Sequence, residues 1–218
     1  MSLQCPKCGC FLDNAPEPVT VLTPDSPQLP KLFDGTLNKA VCPKCSLPLT
    51  LDNGHLVFKD SEKQFILTLL PEPEDGNAEA LESEIDAAMT EEAVSQGIPR
   101  PTVRLVYSRP EFIEKISIHK LGFDDRLIEY AKLQLFRNMD ELQLSRLKHR
   151  LLLDYSRTND EHLLFLVYDR ETQKPINAIQ VEMSDYLSLE EELMKSEDLQ
   201  RELDAAFPGC HVSADRLI

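Results

Sequence analysis

The chain carries the tetrapeptide Cys-Pro-Lys-Cys twice, at Cys5–Cys8 and Cys42–Cys45, with 33 residues between the copies. In a Cys-x-x-Cys loop the chain turns so that both sulfurs aim at one spot, and intervening N–H groups can hydrogen-bond to them. Two such loops together supply four thiolates in a tetrahedron, the arrangement of closed structural zinc sites. The prolines fix φ inside each loop. Gly9, just after the first loop, can take the φ > 0 conformation that often follows such a turn. Cys5, Cys8, Cys42 and Cys45 are therefore the candidate metal ligands, with one structural Zn²⁺ per chain as the expected cofactor. Binding and folding of the N-terminal unit would then be coupled.

A cytosolic redox dithiol is the first alternative. It places its Cys-x-x-Cys at the start of a helix after a strand, in a βαβ setting. Pro24, Pro27 and Pro30 downstream of the first copy, and SLPLTLDNG after the second, do not support that setting. Iron is the competing metal, because four sulfurs in a tetrahedron suit it as well. Rubredoxin is similar in its two loops at roughly this separation, and DGT before VCPKC resembles its second half. Rubredoxin surrounds its iron with aromatic rings, however, and residues 1–50 contain only Phe11 and Phe33. Zinc is favoured, and iron stays open.

Cys10 could replace Cys8, although the symmetry of the pairs favours Cys8; otherwise it is a small, partly buried residue. His55 is a further alternative ligand, and Cys210-His211 has no matching pair and reads as structural. There is no glycine-rich phosphate loop, GxSxG, HExxH or zinc-deaminase signature, and the chain has only seven glycines. No catalytic residue is assigned.

These side chains need a scaffold, and 218 residues with 42% hydrophobic and 28% charged content are enough for one. No apolar run approaches the roughly 20 residues of a membrane span. MSLQCPKC has neither the basic region nor the apolar core of a signal peptide, so a cytoplasmic location is expected, where disulfides are disfavoured. The net charge of −15 repels phosphate, so the expected partner is another protein rather than a nucleic acid or a membrane. That charge is uneven. Residues 71–97 hold nine acids and no base, whereas residues 1–70 hold seven acids against six lysines.

The first seventy residues read as short strands between turns: EPVTVLT, then one possible helical turn in PDSPQLPKLFDG, then HLVFKD and KQFILTLLP. The acidic segment reads as a solvated helix from Asn77 to about Gln96, with Leu81, Ile85, Ala88 and Met89 as a thin apolar stripe. It is a solubilising spacer or a docking surface for a basic partner. PTVRLVYS is a strand, PEFIEKISIHKLG a helix ending at Gly122, and FDDRLIEYAKLQLFRNM a helix capped by Asp124 with Leu127, Ile128, Ala131 and Leu135 buried. RLLLDYS, LLFLVYD and NAIQVEM follow as strands, the last two as a hairpin; DYLSLEEELMKSEDLQRELDAAF is helical, and HVSADRLI a final strand.

The fold class is α+β: an N-terminal zinc-ribbon-like β-unit with two Cys-x-x-Cys knuckles, then an α+β body with helices and a C-terminal antiparallel hairpin. The domains expected are 1–138 (zinc-ribbon-like 1–70, acidic helical insert 71–101, strand and two helices 102–138) and a C-terminal α+β extension, 139–218.

The phrases CPKCG, LFDGTLNKAVCPKC, LVFKDSEKQFIL and FIEKISIHKLGFDDRLIEYAKLQL, in this order, resemble the CpXC family of bacterial proteins, named for its two Cys-Pro-x-Cys motifs. The resemblance covers roughly residues 3–136, with 71–97 as an enlarged insert. It implies that Cys5, Cys8, Cys42 and Cys45 are the family's motif cysteines, that Leu37 and Asn38 belong to the phrase before the second pair, and that Glu114, Lys115, Asp124, Asp125, Arg126, Glu129 and Lys132 form its later charged phrase. It implies no settled activity. The family's second knuckle ends CPxCG, whereas Ser46 stands here, which suggests a strained turn.

On a helix, Arg126/Glu129 and Glu129/Lys132 are i,i+3 pairs, and weak surface ion pairs of about 0.2–0.5 kcal/mol are the plain reading. A site containing Glu114, His119 and Asp125 is the sharper one. The function expected is a zinc-binding, non-enzymatic adaptor. The alternatives are an enzyme with its site between the zinc unit and these helices, or a rubredoxin-like or dithiol redox protein.

Overall fold

The computed structural model describes residues 3–12, 19–50, 55–73, 77–137 and 144–217, and in it each cysteine loop is the turn of a short antiparallel hairpin. Strands β1 (Leu3–Gln4) and β2 (Phe11–Leu12) flank the first loop. After β3 (Val19–Leu22) and the short helix α1 (Leu29–Phe33), β4 (Lys39–Val41) and β5 (Pro48–Thr50) flank the second.

Next come β6 (His55–Asp60), β7 (Phe65–Leu69), helix α2 (Ala78–Gln96) and β8 (Thr102–Val106). They form a four-stranded sheet in the order β3-β6-β7-β8, antiparallel at its centre and parallel at both outer pairs. The sheet draws strands from both sides of the acidic segment. In β6 and β7 the period-2 alternation sends Leu56, Phe58, Phe65, Leu67 and Leu69 to one face. Helix α3 (Arg109–Leu121) covers that face through Phe112 and Ile116. Its ends are set locally. The Ser108 hydroxyl accepts from Glu111 N–H, and Gly122 closes the helix at φ 81°. Helix α2 covers the other face at β8, where Ile85 and Met89 pack near Val103, Leu105 and Cys210. Ala88, read as part of its stripe, is exposed, and Ala93 and Glu82 are buried instead.

Helix α4 (Asp125–Arg137) begins where Asp124 Oδ1 accepts from Arg126 N–H. Leu127 and Ile128 are buried as expected, Ala131 and Leu135 only partly, and Leu133 and Phe136 join them. Strands β9 (His149–Leu153), β10 (His162–Asp169) and β11 (Pro175–Glu182) make an antiparallel sheet in the order β11-β10-β9. Helices α5 (Met183–Lys195) and α6 (Glu197–Ala206) follow, divided at Ser196, whose hydroxyl caps α6 at Leu199 N–H. A second core joins α4, β10 and these helices around Ile128, Phe165, Tyr186 and Leu203. The C-terminal segment expected to be a strand instead ends in a 3-10 turn, Ala214–Leu217. The reason is visible in its partners: Ala214 N–H donates to a buried carboxylate, and Asp215 and Arg216 are tied into ion pairs. Among the described residues no helix is long and apolar enough to cross a membrane.

Between α3 and α4 lies a chain of six charges in near-total burial. Arg104 holds Asp125 in a two-pronged contact at 2.7 and 2.8 Å. Lys115 bridges Asp125 and Glu129 at 3.1 Å each, and Lys132 bridges Glu129 and Glu114 at 2.9 and 2.8 Å. Backbone completes two of the carboxylates: Ala214 N–H donates to Glu129 at 2.9 Å and Leu153 N–H to Glu114 at 2.5 Å. Three cations face three carboxylates. The surface reading of the Glu129/Lys132 pair is thus corrected: the pair is buried, and Arg126 pairs with Asp124 and Asp204 instead.

Burial pushes Asp125 and Glu129 up, but Lys115, with Arg104 for Asp125 and Lys132 for Glu129, outweighs it and holds both well down, Glu129 at about 2. Burial lifts Glu114 above its ordinary value despite Lys132. Lowered carboxylates contribute stability that is complete above the unfolded value and lost as pH falls through the folded one. The thermal midpoint should therefore fall as pH drops from roughly 4 to 2, whereas Glu114, raised above its ordinary value, acts in the opposite sense and at higher pH, lowering the midpoint as pH rises above about 4.5. Lys132→Met, which removes the ammonium paired with buried Glu114 and one of the two on Glu129, should cost about 3–5 kcal/mol in urea denaturation at neutral pH.

Candidate metal centre

The two knuckles are built alike, hydrogen bond for hydrogen bond. Gly9 N–H donates to the Cys5 carbonyl and Ser46 N–H to the Cys42 carbonyl, each at 2.9 Å. Cys5 N–H donates to the Cys10 carbonyl at 2.8 Å, and Cys42 N–H to the Leu47 carbonyl at 2.9 Å. The residue after each pair is left-handed, Gly9 at φ 67° and Ser46 at φ 57°. Serine thus adopts the conformation that glycine takes freely, and the strain expected at this turn has a definite location.

The hairpins face each other so that the four Sγ atoms of Cys5, Cys8, Cys42 and Cys45 lie within 4.8 Å of one another. Cys5 Sγ is 3.6 Å from Cys45 Sγ, and Cys8 Sγ is 3.5 Å from Cys42 Sγ. Each close pair joins the two loops, and all four cysteines are free thiols. A tetrahedron of metal–sulfur bonds of about 2.3 Å has edges of about 3.8 Å, so the cluster could hold a metal ion with little adjustment. Cys5 and Cys42 are buried with Leu12, beside Ala40, Leu47 and Leu49.

Protonation shows what the cluster lacks. At Cys42 burial opposes ionisation, but the N–H groups of Cys45 and Lys44 and the neighbouring thiols outweigh it and bring the thiol down to about 6. At Cys45 the Leu47 N–H favours the thiolate, but burial and the surrounding cysteines push it up to about 12. Backbone N–H groups favour both thiolates, but at Cys45 burial and the other cysteines prevail. Four thiolates in this space would repel one another, and an added positive charge would relieve that repulsion.

The remaining sequence candidates are spread apart. Cys10 donates to its neighbour's carbonyl at Phe11 and stands outside the four-sulfur group. His55 is an exposed residue at the start of β6. Cys210 is buried against Val103 and Leu105. Glu114 faces Lys132 and β9, apart from the cleft that Asp125 and His119 share. His119 bonds Asp60 at 2.9 Å. Sequence reasoning missed Asp60, Arg104 and a second set of pairs in which Arg150 and Arg170 share Asp215, Arg150 also binds Glu111, and Arg216 binds Glu82. An available signal was the i, i+4, i+7, i+11 spacing of Asp125, Glu129, Lys132 and Phe136, which puts charges on a face that also carries a core phenylalanine.

The family model described as CpXC protein matches residues 3–132, and the chain belongs to this family. No curated protein and no solved structure matches it.

The left-handed turns give a direct test of knuckle geometry. A Cβ at Gly9 would meet nothing within 4 Å, so any cost of substitution is a backbone cost. Gly9→Val should lower knuckle stability by about 1–2 kcal/mol, and Gly9→Asn by much less, in denaturation followed by thiol exposure.

Proposed function

We propose that this member of the CpXC family is a zinc-binding adaptor in which Cys5, Cys8, Cys42 and Cys45 hold one structural Zn²⁺. The observation that carries this is the convergence of four free thiols from two matching hairpins. Bound there, the ion supplies the positive charge the thiols need and fixes the two hairpins to each other. The surroundings support zinc over iron: the side chains packed with the cysteines are aliphatic, and nearby Phe11 is 56% exposed. A non-enzymatic role fits the charged phrase, whose buried members are matched to one another. The net charge and the outward acids of α2 favour a protein partner over nucleic acid, and free thiols suit a reducing compartment such as the cytoplasm.

Elemental analysis of the purified full chain should give one zinc per chain, reduced at least tenfold by Cys42→Ser. Chelation should raise amide exchange in residues 3–12 and 39–50 while leaving β6, β7 and α3 protected. A red, iron-loaded protein would overturn zinc, and salt-dependent binding to nucleic acid at neutral pH would overturn the protein partner.

A further inference from the structure

A cleft of about 700 Å³ opens between the end of α3, the starts of β8 and α4, and the segment after α6. Most of its charges are matched. Arg104 and Lys115 bind Asp125, Arg126 binds Asp124, and Arg100 binds Asp86. Two groups on its wall have no partner among the described residues: the Lys63 ammonium and Nδ1 of His119.

The His119 ring is fixed on its other sides. Nε2 lies 2.9 Å from Asp60 Oδ2, Phe65 stacks on the ring at 4.1 Å between centroids and 11° between planes, and Phe58 meets it edge-on. Burial pushes Asp60 up, but its bonds to His119 and to the N–H groups of Lys63 and Glu62 hold it below the carboxylate range. An ionised Asp60 accepts from Nε2–H, so a neutral ring carries its lone pair at Nδ1, the ring nitrogen with no partner among the described residues. The other oxygen, Oδ1, accepts from Glu62 N–H and Lys63 N–H at 3.1 Å each. One carboxylate thus orients the imidazole and also orders the turn that carries Lys63.

We propose that this cleft binds a small oxyanion of the phosphomonoester class, with one proton shared between a phosphate oxygen and His119 Nδ1 and the Lys63 ammonium set against its charge. A phosphomonoester has its second ionisation near pH 6 and so offers both a proton and a negative charge in the neutral range, which a simple carboxylate does not. Asp60 is a positioning residue, acting through His119 and the turn.

The test is a titration of the full chain, labelled with ¹⁵N-histidine, with inorganic phosphate and separately with acetate, at about pH 6.5. Phosphate should shift the His119 ring nitrogens saturably, leaving those of His55, His149, His162 and His211 in place. Acetate should not saturate. Lys63 is exposed, so Lys63→Ala leaves the fold intact and should weaken phosphate binding about three- to fivefold. Asp60→Asn should weaken it about tenfold or more and change the ring-nitrogen pattern to that of a freed tautomer. Should Asp60→Asn fail to fold, Lys63→Ala and Lys63→Glu decide. No saturable shift up to about 50 mM phosphate, equal shifts at all five histidines, or unchanged affinity in Lys63→Ala would overturn the proposal. Equally tight acetate binding would overturn the phosphomonoester class.

Discussion

The arrangement of this protein depends on a buried line of charge that is neutral as a whole and completed by backbone donors. Lys132 and Lys115 would each be costly in a low-dielectric interior, as would Glu114, Glu129 and Asp125. With Arg104 of β8 as the third cation, the three positive and three negative charges cancel. The hydrogen bonds that complete the line come from elsewhere: Leu153 in β9 and Ala214 beside the C-terminal turn. Hence β9 and the last residues are not appended to a finished core. They supply the N–H donors without which two carboxylates of the family-matching segment would be buried and under-bonded. The outer pairs extend the same logic, since Glu111 meets Arg150 in β9 and Glu82 in α2 meets Arg216 at the C-terminal turn.

The knuckles follow the opposite rule. Their four thiols are like groups brought together by hairpin geometry, and although backbone N–H groups favour the thiolate at both Cys42 and Cys45, burial and the neighbouring cysteines push Cys45 up. A self-neutralised network has no need of a ligand, whereas a cluster of four thiols could hold a metal ion. This contrast separates the two constellations that sequence alone leaves side by side. Glu114, Lys115, Asp125, Glu129 and Lys132 of the charged phrase are matched to one another, and the four cysteines are grouped so that they could hold a metal ion.

Legibility in the sequence followed the range of the interactions. The knuckles are local: four residues define each loop, and their pairing needs only matching motifs, so Cys5, Cys8, Cys42 and Cys45 were recognisable as one group. Capping is local too, and Asp124, Gly122 and the limits of α2 are where their residue types place them. The buried ion pairs are not local. Arg104 and Asp125 are 21 positions apart, and Glu82 and Arg216 are 134 apart. A helix wheel shows Glu129 and Lys132 as neighbours but not the medium around them, so an exposed pair and a buried one look the same. The C-terminal turn failed for the same reason: β-prone residues lost to ion pairs with distant partners.

Charge is also divided between the parts of the chain in a way that bears on the metal. The described hairpin residues, 3–12 and 39–50, carry Lys7, Lys39 and Lys44 and no acid, in a chain whose net charge is −15. Four thiolates around a divalent ion would leave a charge of −2 beneath a small β-surface. Lys7 and Lys44 occupy the x position of each Cys-Pro-x-Cys loop and are exposed, each next to a ligand cysteine. At such range, under partial screening, opposite charges favour the loaded state. The two loop lysines would therefore favour metal loading electrostatically though neither is one of the four clustered thiols, and the densest run of acids lies away from the loops in sequence, in residues 71–97.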